Sequence, residues 1–370
     1  MKLLAKNRQL LSIDKTTFMD ICIIPVLATS LAITIGLLLL LLTGESYQTA
    51  LKALISLFVG SFGSISALSE TLTASTPLIF AALGIAIGFR AGLFNIGAEG
   101  QIIVGGLAAV IIGFSVELPL VFHLALMLSV GAAFGAGYAF ISGWLKAFTG
   151  AHEVITTIML NLIAFRLLDF FLRLPLIQKE GRNDPISKSV LETAELPRLL
   201  TFMDPNLRVH AGFLLAVLAV ILVYWIIFHT TIGFEFRTVG TNINAAKYAG
   251  VNSSLVVILA MSAAGLCAGL AGASQISGVL GRATSGFSAG IGFDAIAVAL
   301  LGRAHPIGIF FSGILFGALV AGGRQMQVSA GVSLDLITVI QAMIIIFIAA
   351  PILIKSVFPW FFPKASPEKK

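Results

Sequence analysis

The chain has 370 residues, of which 58% are hydrophobic and only 11% charged. Soluble domains carry about 25% charged residues, so this composition excludes a soluble globular protein. The net charge of +6 resides in short connecting segments, which is the pattern of cytoplasmic loops between membrane spans and not of a nucleic-acid surface.

Lys2, Lys6, Arg8 and Lys15 precede the first apolar run, Phe18 to Leu42. That run is longer than a signal-peptide core of about 7–15 residues, and no A-x-A site follows it. It predicts an uncleaved first span over 18–43, with residues 1–17 in the cytoplasm. Runs near the hydrocarbon thickness then predict spans over 72–89, 95–114, 118–140, 154–175, 210–229, 253–275, 305–322 and 334–354. The run 289–302 is short for a crossing at about 1.5 Å per residue and reads as half of a re-entrant pair. The expected fold is all-α: a single polytopic membrane domain over 1–370, with about ten transmembrane or re-entrant helices. Both termini, including the tail 355–370, are expected in the cytoplasm. The proposed inside segments then hold thirteen Lys and Arg and the outside segments nine, in the expected direction. Segment 44–71 mixes Glu45, Lys52 and Glu70 with the apolar piece Leu54 to Val59. It reads as an external loop with an amphipathic helix on the membrane. The polar stretch 176–208 holds Pro185, Pro197 and Pro205 and is the longest external connection. Cys22 and Cys267 lie in apolar runs and read as small hydrophobes.

Glycine pairs spaced by four occur at Gly84/Gly88, Gly131/Gly135, Gly265/Gly269, Gly286/Gly290 and Gly313/Gly317. They let helix backbones approach closely and together predict a tight bundle. Four segments carry more information. In GFRAGLFNIGAEGQIIVGG, Arg90, Asn95, Glu99 and Gln101 interrupt apolar sequence between glycines. Unwound backbone survives in lipid only where protein or a watery cavity satisfies it. The segment is therefore a surface hairpin or a broken helix facing a pathway, and ionisable groups at that depth usually serve function. In GAHEVITTIMLN, Glu153 stands at a helix start, where the dipole stabilises a carboxylate. Thr156 occupies the place of the second histidine of H-E-x-x-H, so this is not a zinc motif. In the loop 230–252, Asn242 or Asn244 caps a short helix to about Ala249, which Gly250 ends. A helix this short forms only against something else. Ala245, Ala246 and Ala249 give it a smooth face suited to a partner protein's groove. In 281–308, Asp294 lies in an apolar run flanked by Gly290 and Gly292. It needs a partner or water, as a structural pair or as a lining of the pathway. A weak internal echo links 88–100 with 300–313.

The sequence lacks G-x-x-x-x-G-K-[ST] and metal-ligand spacing. Movement of a solute therefore fits better than covalent chemistry. A secondary transporter using Asp294, Glu99 and Asp335 as coupling carboxylates is the rival reading, and a membrane enzyme a distant third.

RAGLFNIGAEGQ at 90–101, AHEVITTIMLN at 151–161, GTNINAAKYAG at 240–250 and FDAIAVALLGRAHPIG at 293–308 resemble, in that order, permease subunits of bacterial ABC importers. The branch is that of nucleosides and simple sugars, related to ribose and branched-chain amino acid permeases, and the likeness spans roughly 80–350. It implies a transmembrane subunit in the bacterial inner membrane that forms the path of a nucleoside or simple sugar. A second, similar permease, a cytoplasmic ATPase and an extracytoplasmic solute-binding lipoprotein are the implied partners. ATP and Mg would bind the ATPase, and no cofactor this chain. The 230–252 loop would be the coupling loop, with Gly240, Thr241, Asn242, Ala245, Ala246, Tyr248, Ala249 and Gly250 matching the family pattern. Arg90, Asn95, Glu99, Gln101 and Asp294 are the candidate path residues. Ala151 stands where relatives often have asparagine, which puts a polar contact there in doubt. Phe94, Phe287 and Phe293, with Asn95 and Gln101, are the groups that would suit a nucleoside. Riboflavin or another nucleobase-like vitamin is equally compatible.

Overall fold

The computed structural model describes residues 23–349, together with 354 and 357. The expected tail 1–17, Cys22 and nearly all of 355–370 lie outside the described residues. The chain divides into two compact units, Ser56–Gln325 and Met1–Ile55 with Met326–Lys370.

The architecture is helical, with three isolated β-bridges and no longer strand among the described residues. The elements are α1 (Ile24–Leu42), α2 (Tyr47–Phe62), α3 (Ile65–Arg90), α4 (Ala98–Ser115), α5 (Leu120–Thr149) and α6 (Glu153–Leu172). Next come α7 (Gly212–His229), α8 (Thr231–Thr241), α9 (Ile243–Tyr248), α10 (Ser253–Gln275), α11 (Ile291–Leu301), α12 (Pro306–Ala330) and α13 (Asp335–Ala349). Among the described residues, seven helices are long and apolar enough to cross a membrane: α3 to α7, α10 with its extension to Leu280, and α12. Three shorter apolar stretches, Val26–Leu42, Ile291–Leu301 and Asp335–Phe347, accompany them. The protein is thus a polytopic membrane protein, as its composition predicts.

Several boundaries differ from the sequence reading. Segment 44–71 holds the expected helix, α2, and also the start of α3, and the Ser61 hydroxyl donates to the Ala318 carbonyl at 2.6 Å. Ser64 caps α3 by accepting from the Ala67 N–H at 3.0 Å, so that helix starts seven residues before the expected 72. α5 runs to Thr149, not 140, and stops at Gly150 in the left-handed conformation. α12 continues to Ala330. Hydropathy alone stopped these helices at membrane length, whereas their hydrogen bonds extend beyond it.

Within Ser56–Gln325, α10 is the central pillar, packed by α3, α4 and α5. Two expected glycine pairs meet each other. A Cβ on Gly265 would lie 2.3 Å from the Gly135 carbonyl oxygen, and one on Gly269 2.2 Å from that of Gly131. Only glycine permits backbones this close. Gly313 and Gly317 of α12 likewise face Ile79 and Ser75 of α3. Gly286 and Gly290 behave otherwise: both have positive φ and no neighbour for a Cβ within 4 Å. They are turn residues in the link to α11, not packing residues.

The connection 173–211 closes one end of this unit. Ser187, Val190 and Leu196 donate backbone N–H groups to the carbonyls of Ala283, Gly281 and Ser277, each at 2.9 Å. Arg208 and Val209 both donate to the Ser69 hydroxyl at 2.9 Å. Its polar backbone is thereby satisfied against the bundle. In the other unit, α1 and α13 pack together, with Gly36 against Ile340.

Candidate functional site

The site starts from the short link between α3 and α4. Asn95 and Gln101 pair their amides reciprocally, with both N···O distances 3.1 Å. The Asn95 Oδ1 also accepts from the Gly97 N–H at 2.9 Å. Asn161 of α6 braces the link: its Oδ1 accepts from Gly100 N at 2.8 Å and its amide donates to the Ile96 carbonyl at 2.9 Å. Asn95, Glu99 and Gln101 are all buried. The link is therefore a broken helix within the protein, and not a surface hairpin.

Glu99 ties this knot to α11. Its carboxylate accepts from the Ser288 hydroxyl, from Gly290 N at 3.1 Å and from Gly292 N at 2.7 Å. A carboxylate on the first amides of a helix is stabilised by their orphan N–H groups and by the dipole. Glu99 thus sets the position of α11, and α11 carries Asp294.

Asp294 faces a cavity of about 120 Å³ lined by Thr73, Pro77, Leu78, Gln275, Ile291 and Arg324, among others. Its walls are mostly apolar, with Thr73, Gln275, Asp294 and Arg324 as the polar lining, and it is smaller than the roughly 300–1,000 Å³ of an open ligand pocket. Among the described residues no cation lies within ion-pair distance of Asp294. Arg324, at the same cavity, lies 3.6 Å from Glu70, which also meets Arg208 at 3.3 Å. The sequence reading named Asp294 and missed Thr73, Gln275 and Arg324, although each interrupts an apolar run. Asn161 and Ser288 are not named by the sequence either, because their partners lie far along the chain. Phe94, Phe287 and Phe293 are not among the cavity's lining residues. Phe94 stacks on Phe89 at 5.1 Å, and buried Phe287 packs against Gly106.

Arg90 sits apart from that cavity, at the end of α3. Its Nε donates to the Ala304 carbonyl at 3.0 Å, and its guanidinium lies over Phe228. Burial, and then the Arg90 charge, hold the neighbouring His305 below the ordinary imidazole range. Glu153 stands at the start of α6 and pairs with Lys146 at 2.6 Å, a partner the sequence does not announce. Asp335 accepts from Ser333 at 2.8 Å and is exposed.

The 240–250 hairpin lies at the Arg90 end. Asn242, not Asn244, caps α9, accepting from Asn244 N at 3.0 Å and Ala245 N at 3.1 Å. Gly250 ends it at φ +82, where a side chain would be strained. The expected alanine face divides: Ala246 is fully buried, while Ala245 and Ala249 are exposed beside Tyr248, which is 95% exposed. Gly240 joins the hairpin to the link, since a Cβ there would lie 2.2 Å from the Arg90 carbonyl oxygen and 2.8 Å from Gly92 N. A continuous route of contacts therefore runs from the exposed hairpin through Gly240 and residues 90–101 to Glu99, α11 and Asp294.

The family described as "Branched-chain amino acid transport system / permease component" matches residues 67–349. The chain is 37% identical over 336 residues to a guanosine ABC transporter permease protein of Bacillus subtilis, covering 90% of this chain and 95% of that one. It is 37% identical to a glucose ABC transporter permease protein of Haloferax volcanii, over 79% of this chain and 78% of the relative. A nucleoside ABC transporter permease protein of Lactococcus lactis is 33% identical over 91% of this chain and 93% of its own. No solved structure matches the chain.

Proposed function

Because this chain belongs to the family of permease components of branched-chain amino acid transport systems, and is thus a multi-pass transport subunit and not an enzyme, we propose that it forms the path of a nucleoside. Permeases of this kind act with an ATPase and a substrate-binding partner in a bilayer. The finer assignments are part of the proposal: a second, similar permease, a lipoprotein as the binding partner, the bacterial inner membrane, and ATP with Mg on the ATPase alone. So are one permease domain over 1–370 and the placement of both termini and the 230–252 loop in the cytoplasm, with 176–208 outside.

The observation that carries the reading is the route from an exposed, capped hairpin to a half-buried carboxylate at a cavity. Tyr248, Asn244 and Lys247 are exposed on that hairpin and offer a docking surface, while Gly240 and Ala246 anchor it. Closure of the ATPase on Tyr248 and its neighbours would move the hairpin as a body. Residues 90–101 and Glu99 would pass the movement to α11 and change access to the Asp294 cavity. In this scheme Asp294 lines the path. Asn95, Glu99 and Gln101 hold its geometry, and Arg90 acts at the hairpin junction. A nucleoside is favoured because the likeness to the guanosine relative extends over nearly the whole of both chains. Asp294 and Gln275 also offer the acceptor and the amide that a base edge requires.

Tyr248→Glu tests the coupling in the assembled complex. The exposed site leaves folding intact, and solute-stimulated ATP hydrolysis and uptake should both collapse. Retention of both would overturn the assignment. Labelled guanosine, glucose and riboflavin, offered separately, decide the solute, and import of glucose or riboflavin without guanosine would refute the nucleoside.

A further inference from the structure

Where the hairpin meets the bundle, one aromatic ring carries two cations. The guanidinium carbon of Arg90 lies 5.5 Å from the Phe228 ring centre, and that of Arg237 lies 5.6 Å from the same centre. The three residues come from α3, α7 and α8. His305 adds its ring at 5.3 Å from that of Phe228. Among the described residues no carboxylate forms an ion pair with Arg90 or Arg237. Two neighbouring cations repel, whereas the negative face of a ring attracts each of them. The ring therefore makes this pairing of charges tolerable.

Arg90 has a second attachment. Its Nε donates to the Ala304 carbonyl at 3.0 Å. Arg303 and Ala304 are consecutive non-glycine residues at φ 54 and 49, a conformation that persists only when the surroundings hold it. Their turn joins α11, which carries Asp294, to α12. The Arg237 Nε, by contrast, donates within its own helix, to the Gly233 carbonyl at 3.3 Å. The ring is thus the shared contact between α8 and a side chain bonded to the strained turn, which backbone bonds from Arg303 N to the Leu300 carbonyl and from Ala304 N to the Ala299 carbonyl also close.

We propose that Phe228 is a positioning residue for energy coupling. It locks α8 to the 303–304 turn through Arg237 and Arg90, so that displacement of α8 breaks the stack, frees the turn and lets α11 move. The proposal rests on the reading of the 240–250 hairpin as the ATPase contact. Without the ring the two guanidiniums repel unopposed, the resting arrangement is no longer held, and hydrolysis proceeds without import.

The test uses the complete complex in proteoliposomes, with import and ATP hydrolysis measured in the same vesicles. The solute is whichever of guanosine and glucose the unsubstituted complex imports. Phe228→Leu keeps apolar bulk and removes the ring. The solute imported per ATP should fall roughly five- to thirtyfold, the effect of losing two cation–π contacts, while hydrolysis persists and Phe228→Tyr restores the ratio. An unchanged ratio in Phe228→Leu, or loss of import and hydrolysis in proportion, overturns the proposal. Should Phe228→Leu fail to assemble, Arg237→Gln breaks the same stack and is read by the same ratio, with the same outcomes. Tyr248→Glu separates the two levels. If it leaves import and hydrolysis intact, the hairpin reading itself fails. If it abolishes them while Phe228→Leu changes nothing, only the role of the ring fails.

Discussion

Replacing Glu99 with glutamine separates a structural carboxylate from one that touches solute. Glu99 is 1% exposed, and its Oε2 accepts from Gly292 N at 2.7 Å. Its other oxygen accepts from Ser288 and Gly290. A glutamine can keep its oxygen toward Ser288 and Gly290, but its NH2 then faces the Gly292 N–H. One charge-assisted bond is lost, and a buried donor is left without an acceptor, together costing about 3 kcal/mol. A change of 1 kcal/mol moves the melting temperature by roughly 2–4 °C in domains of this order of size. An apparent fall of roughly 6–12 °C is therefore expected for Glu99→Gln in the purified complex. The concentration of solute giving half-maximal import should stay unchanged, because the carboxylate is spent on α11. An unshifted melting temperature with weakened solute affinity would refute this reasoning and place Glu99 in the path.

Asp294→Asn should do the reverse, abolishing import without lowering the melting temperature, since no cation is left unpaired; a variant that imports normally would remove Asp294 from the path. Gly240→Ala places a methyl against backbone on two sides, an overpacking that costs about 1–3 kcal/mol; it should lower melting and import, while Gly137→Ala, with open space around it, should do neither. His210, in the closing connection, has its pKa lowered from 6.5 to about 4, by burial first and then by the Arg208 charge. The unfolded chain then binds more protons between those values, so stability is full above about pH 6.5 and falls as the pH drops toward 4, by up to roughly 3 kcal/mol. Melting scans from pH 7.5 to 4.5 should show this slope, and His210→Asn, which keeps an acceptor for the Gly212 N–H, should flatten it; an equal slope in both would refute the assignment.

Features written in local sequence were legible. The Asn242 cap and the Gly250 stop depend on neighbours within a few positions, and both hold in the structure. So do the glycine pairs of α5 and α10, because helical spacing puts each pair on one face. Gly286/Gly290 has the same spacing but belongs to a turn, and spacing carries no information on φ. The partners of Glu99 lie about 190 positions away, and no periodicity reports such a pairing. Charge in an apolar context marked Glu99 and Asp294 as a pair of like candidates. Burial and hydrogen bonding assign them different work: Glu99 fixes a helix and Asp294 faces a cavity. Arg90 came from the same argument, yet it sits at the junction with the hairpin. In segment 44–71 the helix α2 is legible, but the early start of α3 is not, because Ser64 caps it and Glu70 is held by Arg208 and Arg324, partners distant in sequence.

Whether the chain moves solute on energy delivered through the 240–250 hairpin is best decided in proteoliposomes holding the permeases, the ATPase and the binding protein. Import of labelled guanosine should require ATP on the ATPase side and should persist when proton and sodium gradients are collapsed. Import by this chain alone, driven by an ion gradient and lost with Asp294→Asn, would contradict the account and establish an ion-coupled carrier.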